Sequence, residues 1–286
     1  MNRTQNEIRA LITLLGDDDQ NVVEVARKEL AQQAQQALPI LKEIGLSDSE
    51  GRIRIQAQAL IEEIRLADLE ERFKSLLVSP DFDLERGCFI LAKIEYPKLQ
   101  RARYVEILDR HALEIQRQIH DLRNERLIVD SINYYLFEEI GFRGNLNAYY
   151  DAQNSFINRV LDQHLGIPIS LCAIYLFISQ RLHLPIYGVS FPRHFLLKYR
   201  KEKDLFYIDV FNRGKILTRE DCANIIYNQG MAFYESYLST TPPMEIFARM
   251  LRNLILIYQH NNQSHKIITL EKIFSDLIIQ QEDENL

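Results

Sequence analysis

LGIPISLCAIYLFISQRLHLPIYGVSFPRHFLLKYRKEKDLFYIDV, residues 165–210, holds a buried helix followed by a β-hairpin, and that succession decides the fold. Gly166 ends a preceding helix and Pro168 stands where the first turn of the next begins, the usual exit and entry residues. The helix predicted over 168–182 is apolar nearly all round, which places it at the centre of a domain. IYGVSF, HFLLKYR and LFYIDV are then short β-branched and aromatic runs. The last two are joined by the charged turn KEKD, so they pair as an antiparallel hairpin.

The register of that hairpin carries the functional reading. With the turn centred near Glu202, Phe195 opposes Asp209 and His194 lies one step away, which brings an imidazole and a carboxylate to the same end of adjacent strands. Such a pair is the orienting half of a nucleophilic triad: the acid fixes the tautomer, and the base takes a proton from a nucleophile. The nucleophile is the missing part. Ser170 lies in the first turn of the central helix, where backbone N–H groups favour an anion; its alternative role is a local backbone contact. Cys172 lies two residues further, roughly 200° around the helix, where burial raises a thiol's pKa. Cys222 follows Asp221 inside a predicted helix.

Upstream, GFRGNLNAYYDAQNS (141–155) is loop chemistry, with Asn154 or Ser155 placed to cap the helix that FINRVLDQH begins. Tyr149, Tyr150, Asp151 and Asn154 either line a peptide groove or seal the core. His164 and His183 flank helix ends, where an imidazolium is favoured. From Leu69 to Ile140 the pattern is helical, with breaks at Ser79-Pro80 and Tyr96-Pro97; Cys88 shares a face with Leu84 and Leu91 and reads as core. Residues 8–66 contain a weak repeat, Leu14, Asp18, Val23 and Leu30 against Ile44, Asp48, Ile53 and Leu60. GDDDQ and SDSEG act as turns, giving either two HEAT-like units or two unrelated helical hairpins. Downstream, Thr218 with Asp221 forms a capping box. Residues 242–279 form a pair of amphipathic helices of tetratricopeptide-like kind, for packing or for a partner.

Composition agrees with a mostly helical α+β protein: 47% of the 286 residues are hydrophobic, Trp is absent, and Gly (10) and Pro (8) are few. A formal charge of −6, 40 acidic against 34 basic residues, argues against a nucleic-acid surface. Three widely spaced cysteines suggest neither a disulfide framework nor a metal site, and a reducing, cytoplasmic setting follows. The N-terminal residues lack an apolar signal region, and the apolar run Leu165 to Ser179 is shorter than the ~20 residues a membrane crossing needs. No phosphate-loop or dinucleotide fingerprint occurs, so no cofactor or metal is expected.

RGNLNAYYDAQNSFINRVLDQHLGIPISLCAIYLFISQRLHLPIYGVSFPRHFLL followed by FYIDVFNRGKILTREDC resembles the SirB-one family of uncharacterised bacterial proteins, over about Leu69 to His260. The resemblance implies a transglutaminase-like (papain-like) core with a small antiparallel sheet, at 67–240. It also implies a helical, HEAT-like region before it (1–66) and a tetratricopeptide-like hairpin after it (241–286). It implies as well that a catalytic Cys should start the central helix near Pro168 to Ser170, with His194 and Asp209 completing the site. None of those first-turn residues is Cys. Arg193 stands where the family has Gly, and Val210 where it has Pro. The expected function is a non-catalytic protein- or peptide-binding scaffold that keeps a His-Asp pair; the alternative is an acyl-transfer or amide-hydrolysing enzyme using Ser170 or Cys172.

Overall fold

The computed structural model describes residues 3–46, 51–79, 81–119, 124–261 and 264–283. The chain divides into two compact units, Met1–Arg72 and Phe73–Leu286.

The first unit contains α1 (Arg3–Leu14), α2 (Gln20–Gln32), α3 (Ala34–Leu46) and the greater part of α4 (Gly51–Leu77). Asp19 caps α2 by accepting from the Asn21 N–H, so GDDDQ does the turn work its composition predicts. SDSEG, with Asp48, falls largely outside the described residues. Ile8, Ile12, Leu30, Leu41 and Leu60 form a common core, and Arg27 ties α2 to α4 through Gln56 and Glu63. Leu14, one of the repeat positions, is instead 39% exposed.

In the second unit, α5 (Leu84–Ala92), α6 (Arg101–Gln118) and α7 (Glu125–Asn133) lead into a π-helical turn at Tyr134–Glu139. Two short parallel strands, β1 (Arg143–Gly144) and β2 (Leu165–Gly166), bracket a loop, a 3₁₀ turn at Ala152–Ser155 and α8 (Ile157–Gln163). These strands were not apparent from the sequence, because two residues are too few to express a period.

Next comes α9 (Pro168–Arg181), buried continuously from Pro168 to Ser179. It packs against α6, α8 and a four-stranded antiparallel sheet of β3 (Ile186–Val189), β4 (Leu196–Lys201), β5 (Asp204–Asp209) and β6 (Lys215–Leu217), in that order. α10 (Arg219–Asn228) opens with the expected box, Thr218 and Asp221 each bonding the other's backbone. α11 (Pro243–His260) and α12 (Ser264–Asp283) pack antiparallel: Arg252 lies over Phe274, and Lys266 over Tyr258. α11 also packs on α9 and α5. Among the described residues, no helix is long and apolar enough to cross a membrane.

Candidate functional site

The hairpin register differs by one residue from the expectation. Lys201 pairs with Asp204 and Leu197 with Ile208, so the turn is the two residues Glu202-Lys203 and the next position facing Asp209 is Leu196, not Phe195. Glu202 takes a left-handed φ of 50°, which shifts the turn centre. His194 therefore lies ahead of β4 and not within it. Its place is set by a tight turn in which the His194 N–H donates to the Phe191 carbonyl at 3.1 Å. Pro192 supplies the fixed φ of the second turn position, and Arg193 occupies the third with φ 55°. A left-handed backbone at a residue with a Cβ costs roughly 1 kcal/mol, a strain that the Gly expected there from the resemblance would not carry.

That turn delivers the ring to β5. His194 Nε2 lies 2.8 Å from Asp209 Oδ1, with the histidine side chain 17% and the aspartate side chain 5% exposed. Asp209 is held from behind: Asn212 donates its backbone N–H to Oδ1 at 3.2 Å and its amide to Oδ2 at 2.7 Å. Burial on its own would raise the pKa of Asp209, but the hydrogen bonds and charge of His194, with the two bonds from Asn212, outweigh it and hold the carboxyl below its ordinary value. An ionised Asp209 can only accept, so Nε2 donates the proton of that bond and Nδ1 is the ring nitrogen left for another partner.

Neither sequence-predicted nucleophile is bonded to that ring. Ser170 is fully buried; its hydroxyl donates to the Asn154 carbonyl at 2.6 Å and accepts the Ile167 N–H at 3.1 Å. Its proton and one lone pair are thus committed to joining the 141–155 loop to the start of α9. Cys172 is also fully buried, 3.6 Å from the Phe195 carbonyl. Burial first, and then the charge of Asp209, push its pKa well up, despite a hydrogen bond from the Val210 backbone. A proline at 210 would have no N–H to give. Cys222 and Cys88 are buried free thiols whose pKa is likewise pushed up by burial, Cys222 to about 12.

A cavity of about 180 Å³ is lined by His194 and by the first turn of α9, through Pro168 and Ile169, with Tyr149, Arg193, Arg249 and Asn253 among its other walls. A second cavity of about 450 Å³ continues from it, sharing Tyr149, Ile167 and Asn253 and adding Tyr150, Leu256 and Ile257. Tyr149 and Tyr150 both line this second cavity, and Tyr150 is 77% exposed. Asp151 borders a neighbouring hollow and caps the 3₁₀ turn. Asn154 does not face the groove: it is 1% exposed, and its amide donates to the carbonyls of Ala148 and Tyr149. Nor do Asn154 or Ser155 cap α8, whose N-cap is Phe156. His164 departs from expectation too, since burial lowers its pKa and disfavours the imidazolium.

Arg249 on α11 is the site residue that sequence reasoning missed. It donates to the carbonyls of His194 (2.6 Å) and Phe191 (3.2 Å) and to the Ser190 hydroxyl (2.7 Å), and lies over the Phe195 ring. It thereby fixes the turn that carries His194. The only available signal was an arginine amid the apolar positions 246, 247, 250 and 251 of α11. Phe211 closes the other side, edge-on to both His194 and Tyr149. It fits only because Gly144 has no Cβ; one built there would overlap the Phe211 ring. Among the described residues, no three His, Cys, Asp or Glu side chains cluster in a way that would hold a metal ion.

Residues 102–252, which contain this helix, turn and strand, match the family described as the transglutaminase-like superfamily. The chain belongs to that superfamily. It is 31% identical over 183 residues to a UPF0162 protein of Xylella fastidiosa strain 9a5c, covering 61% of this chain and 64% of that one. It is 32% identical over 148 residues to a UPF0162 protein of Vibrio cholerae, covering 50% of this chain and 54% of that one. It is also 31% identical over 160 residues to F-box only protein 21 of Mus musculus, covering 52% of this chain but 25% of that one. The chain thus spans less than two thirds of the length of these relatives. No solved structure matches it.

Proposed function

We propose that this transglutaminase-like chain is a peptide- or protein-binding member of the SirB-one group, which keeps a His194-Asp209 pair and works without a nucleophile. One observation carries the reading: the helix start that shares a cavity with His194 presents Pro168 and Ile169 to it, while Ser170 and Cys172 are bonded elsewhere. An imidazole can act as base only on a proton within hydrogen-bond reach, and neither the Ser170 hydroxyl nor the Cys172 thiol is bonded to the His194 ring. The open groove beside the pair, walled by tyrosines and aliphatic side chains, is the kind of surface that gathers contact area from a peptide at low entropic cost. Within that reading the helices of residues 1–66 and 241–286 are HEAT-like and tetratricopeptide-like arms that recruit partners, and the three free thiols suit a cytoplasmic setting.

Acyl transfer or amide hydrolysis, with His194 as base, Asp209 as its orienter and Ser170 or Cys172 as nucleophile, is the competing reading, favoured by the 2.8 Å geometry of the pair. The full chain should neither incorporate dansylcadaverine into dimethylcasein nor release fluorescein from labelled casein above the buffer rate, and His194→Ala should leave both readings unchanged. Turnover by the wild type that disappears in His194→Ala would overturn the binding proposal in favour of the enzyme.

A further inference from the structure

The small cavity beside His194 has a chemistry of its own. Its wall brings together Arg193, Arg249, the His194 imidazole, the Tyr149 phenol and the Asn253 amide. Neither this cavity nor the larger one continuous with it has an Asp or Glu among its described lining residues. Asp209, bonded to the His194 ring, is 4% exposed and engaged with His194 and Asn212. The cavity wall therefore carries two arginines and no carboxylate, with the negative charge of Asp209 set behind the His194 ring, in a chain whose formal charge is −6.

The two arginines differ in how they are held. Arg249 is pinned by three acceptors on the turn and by the Phe195 ring, so its charge is fixed at the cavity in advance. A guanidinium has five N–H donors, and those three bonds leave others for a ligand. Arg193 is exposed, at a backbone position that favours glycine, where it puts a second long cation at the rim. The start of α9 adds the positive end of a 14-residue helix, with Pro168 and Ile169 at the wall. At about 180 Å³ the cavity admits a carboxylate and its neighbouring atoms, and the adjoining 450 Å³ groove of Tyr149, Tyr150, Leu256 and Ile257 takes apolar side chains.

We infer that the His194 cavity is a carboxylate pocket: it receives a peptide's carboxylate, from a free C-terminus or from a terminal acidic side chain, while the preceding apolar residues lie in the tyrosine groove. This rests on the peptide-binding reading and gives that reading its anchor and direction. Arg249 clamps the carboxylate, Arg193 closes over it from the rim, and an amide in the same place leaves both cations unanswered.

The test uses the full chain and fluorescence anisotropy with three fluorescein-labelled hexapeptide pools: Gly-Ser-Gly followed by positions mixed among Leu, Ile, Phe and Tyr. One pool ends in a free acid, one in an amide, and one in Glu with an amidated terminus. Charge-assisted hydrogen bonds predict that the free-acid pool binds about tenfold or more tighter than the amide pool. Arg193→Gly, which also relaxes the left-handed turn, should lose at least about threefold of that preference, while Arg193→Lys retains most of it. If the Glu-amide pool matches the free acid, a terminal and a side-chain carboxylate serve equally and the inference holds; if it matches the amide, the pocket takes the chain terminus. Equal affinity for acid and amide would overturn the carboxylate pocket and leave peptide binding standing. No binding of any pool would overturn both. An acid preference untouched by both Arg193→Gly and Arg249→Lys would place the carboxylate elsewhere and also refute the inference.

Discussion

Ser170→Ala should destabilise the protein far more than a serine-to-alanine change further along the same helix, because the two hydroxyls are used differently. Ser170 bridges two elements: it donates to the Asn154 carbonyl on the loop and accepts the Ile167 N–H at the helix start, with both partner residues 3% exposed or less. Removing the oxygen leaves two buried polar groups unanswered, each costing about 1–3 kcal/mol, so a loss of about 2–6 kcal/mol is expected. In a folded unit of about 200 residues, each kcal/mol moves the melting midpoint by about 2–4 °C, which predicts a fall of at least about 4 °C. Ser179 is the internal control. It is equally buried on α9, but its hydroxyl donates at 2.8 Å to the Tyr175 carbonyl of its own helix. Bonds of that kind contribute little to stability, so Ser179→Ala should cost less than about 1 kcal/mol. Urea unfolding followed by circular dichroism measures both. Wild-type protein should also leave a fluorophosphonate probe unbound. Equal losses for the two variants, or wild-type labelling that vanishes in Ser170→Ala, would refute the assignment of Ser170 as a latch.

The native Cys172 thiol, its pKa pushed well up by burial, should react with iodoacetamide at pH 8 only at the rate of local opening, and equally slowly in His194→Ala; fast labelling lost in that variant would indicate an activated nucleophile. His111 gives a pH dependence. Its ring lies 3.0 Å from the Tyr135 hydroxyl, and burial, assisted by His164 and Arg110, lowers its pKa from 6.5 to about 4. The unfolded chain binds this proton more readily than the folded one, so the contribution is complete above pH 6.5, declines as pH falls towards 4, and is level below that. The ceiling is on the order of 3 kcal/mol at about 1.4 kcal/mol per unit, and solvent screening reduces it to about 1–2. Urea midpoints of His111→Gln should fall less steeply than those of wild type between pH 7 and 4.5; parallel curves would contradict this.

The parts of the site that were legible in the sequence are those set by local chemistry. Gly166 and Pro168 delimited α9 because their backbone preferences act without help from the rest of the chain. The hairpin was legible as a pair of strands but not in register, since KEKD accommodates either a turn centred on Glu202 or the two-residue turn formed, and only the left-handed φ of Glu202 distinguishes them. His194 still met Asp209 because its reach comes from the Phe191 to His194 turn, a feature independent of strand alternation. The place of Asn154 was left open for a different reason. An asparagine in a polar loop is compatible with capping, with groove lining and with bridging its own loop, and the choice depends on a helix that arrives later in the chain. Arg249 lies 55 residues beyond the carbonyl it holds; no local pattern records such a contact.

These contacts also bear on why a His-Asp pair persists where the neighbouring helix start presents proline and isoleucine. Each member of the pair terminates a segment. Asp209 ends β5 and accepts both bonds from Asn212, which shape the 3₁₀ turn Val210–Asn212, and that turn carries Phe211 into contact with Tyr149. His194 ends the turn that Arg249 holds to α11. The 2.8 Å bond between them therefore joins the sheet, α11 and the tyrosine loop at one point, and α11 and the loop are walls of the groove. Under the binding proposal the pair's task is to set the groove's shape, and its loss is then expected first as altered peptide binding.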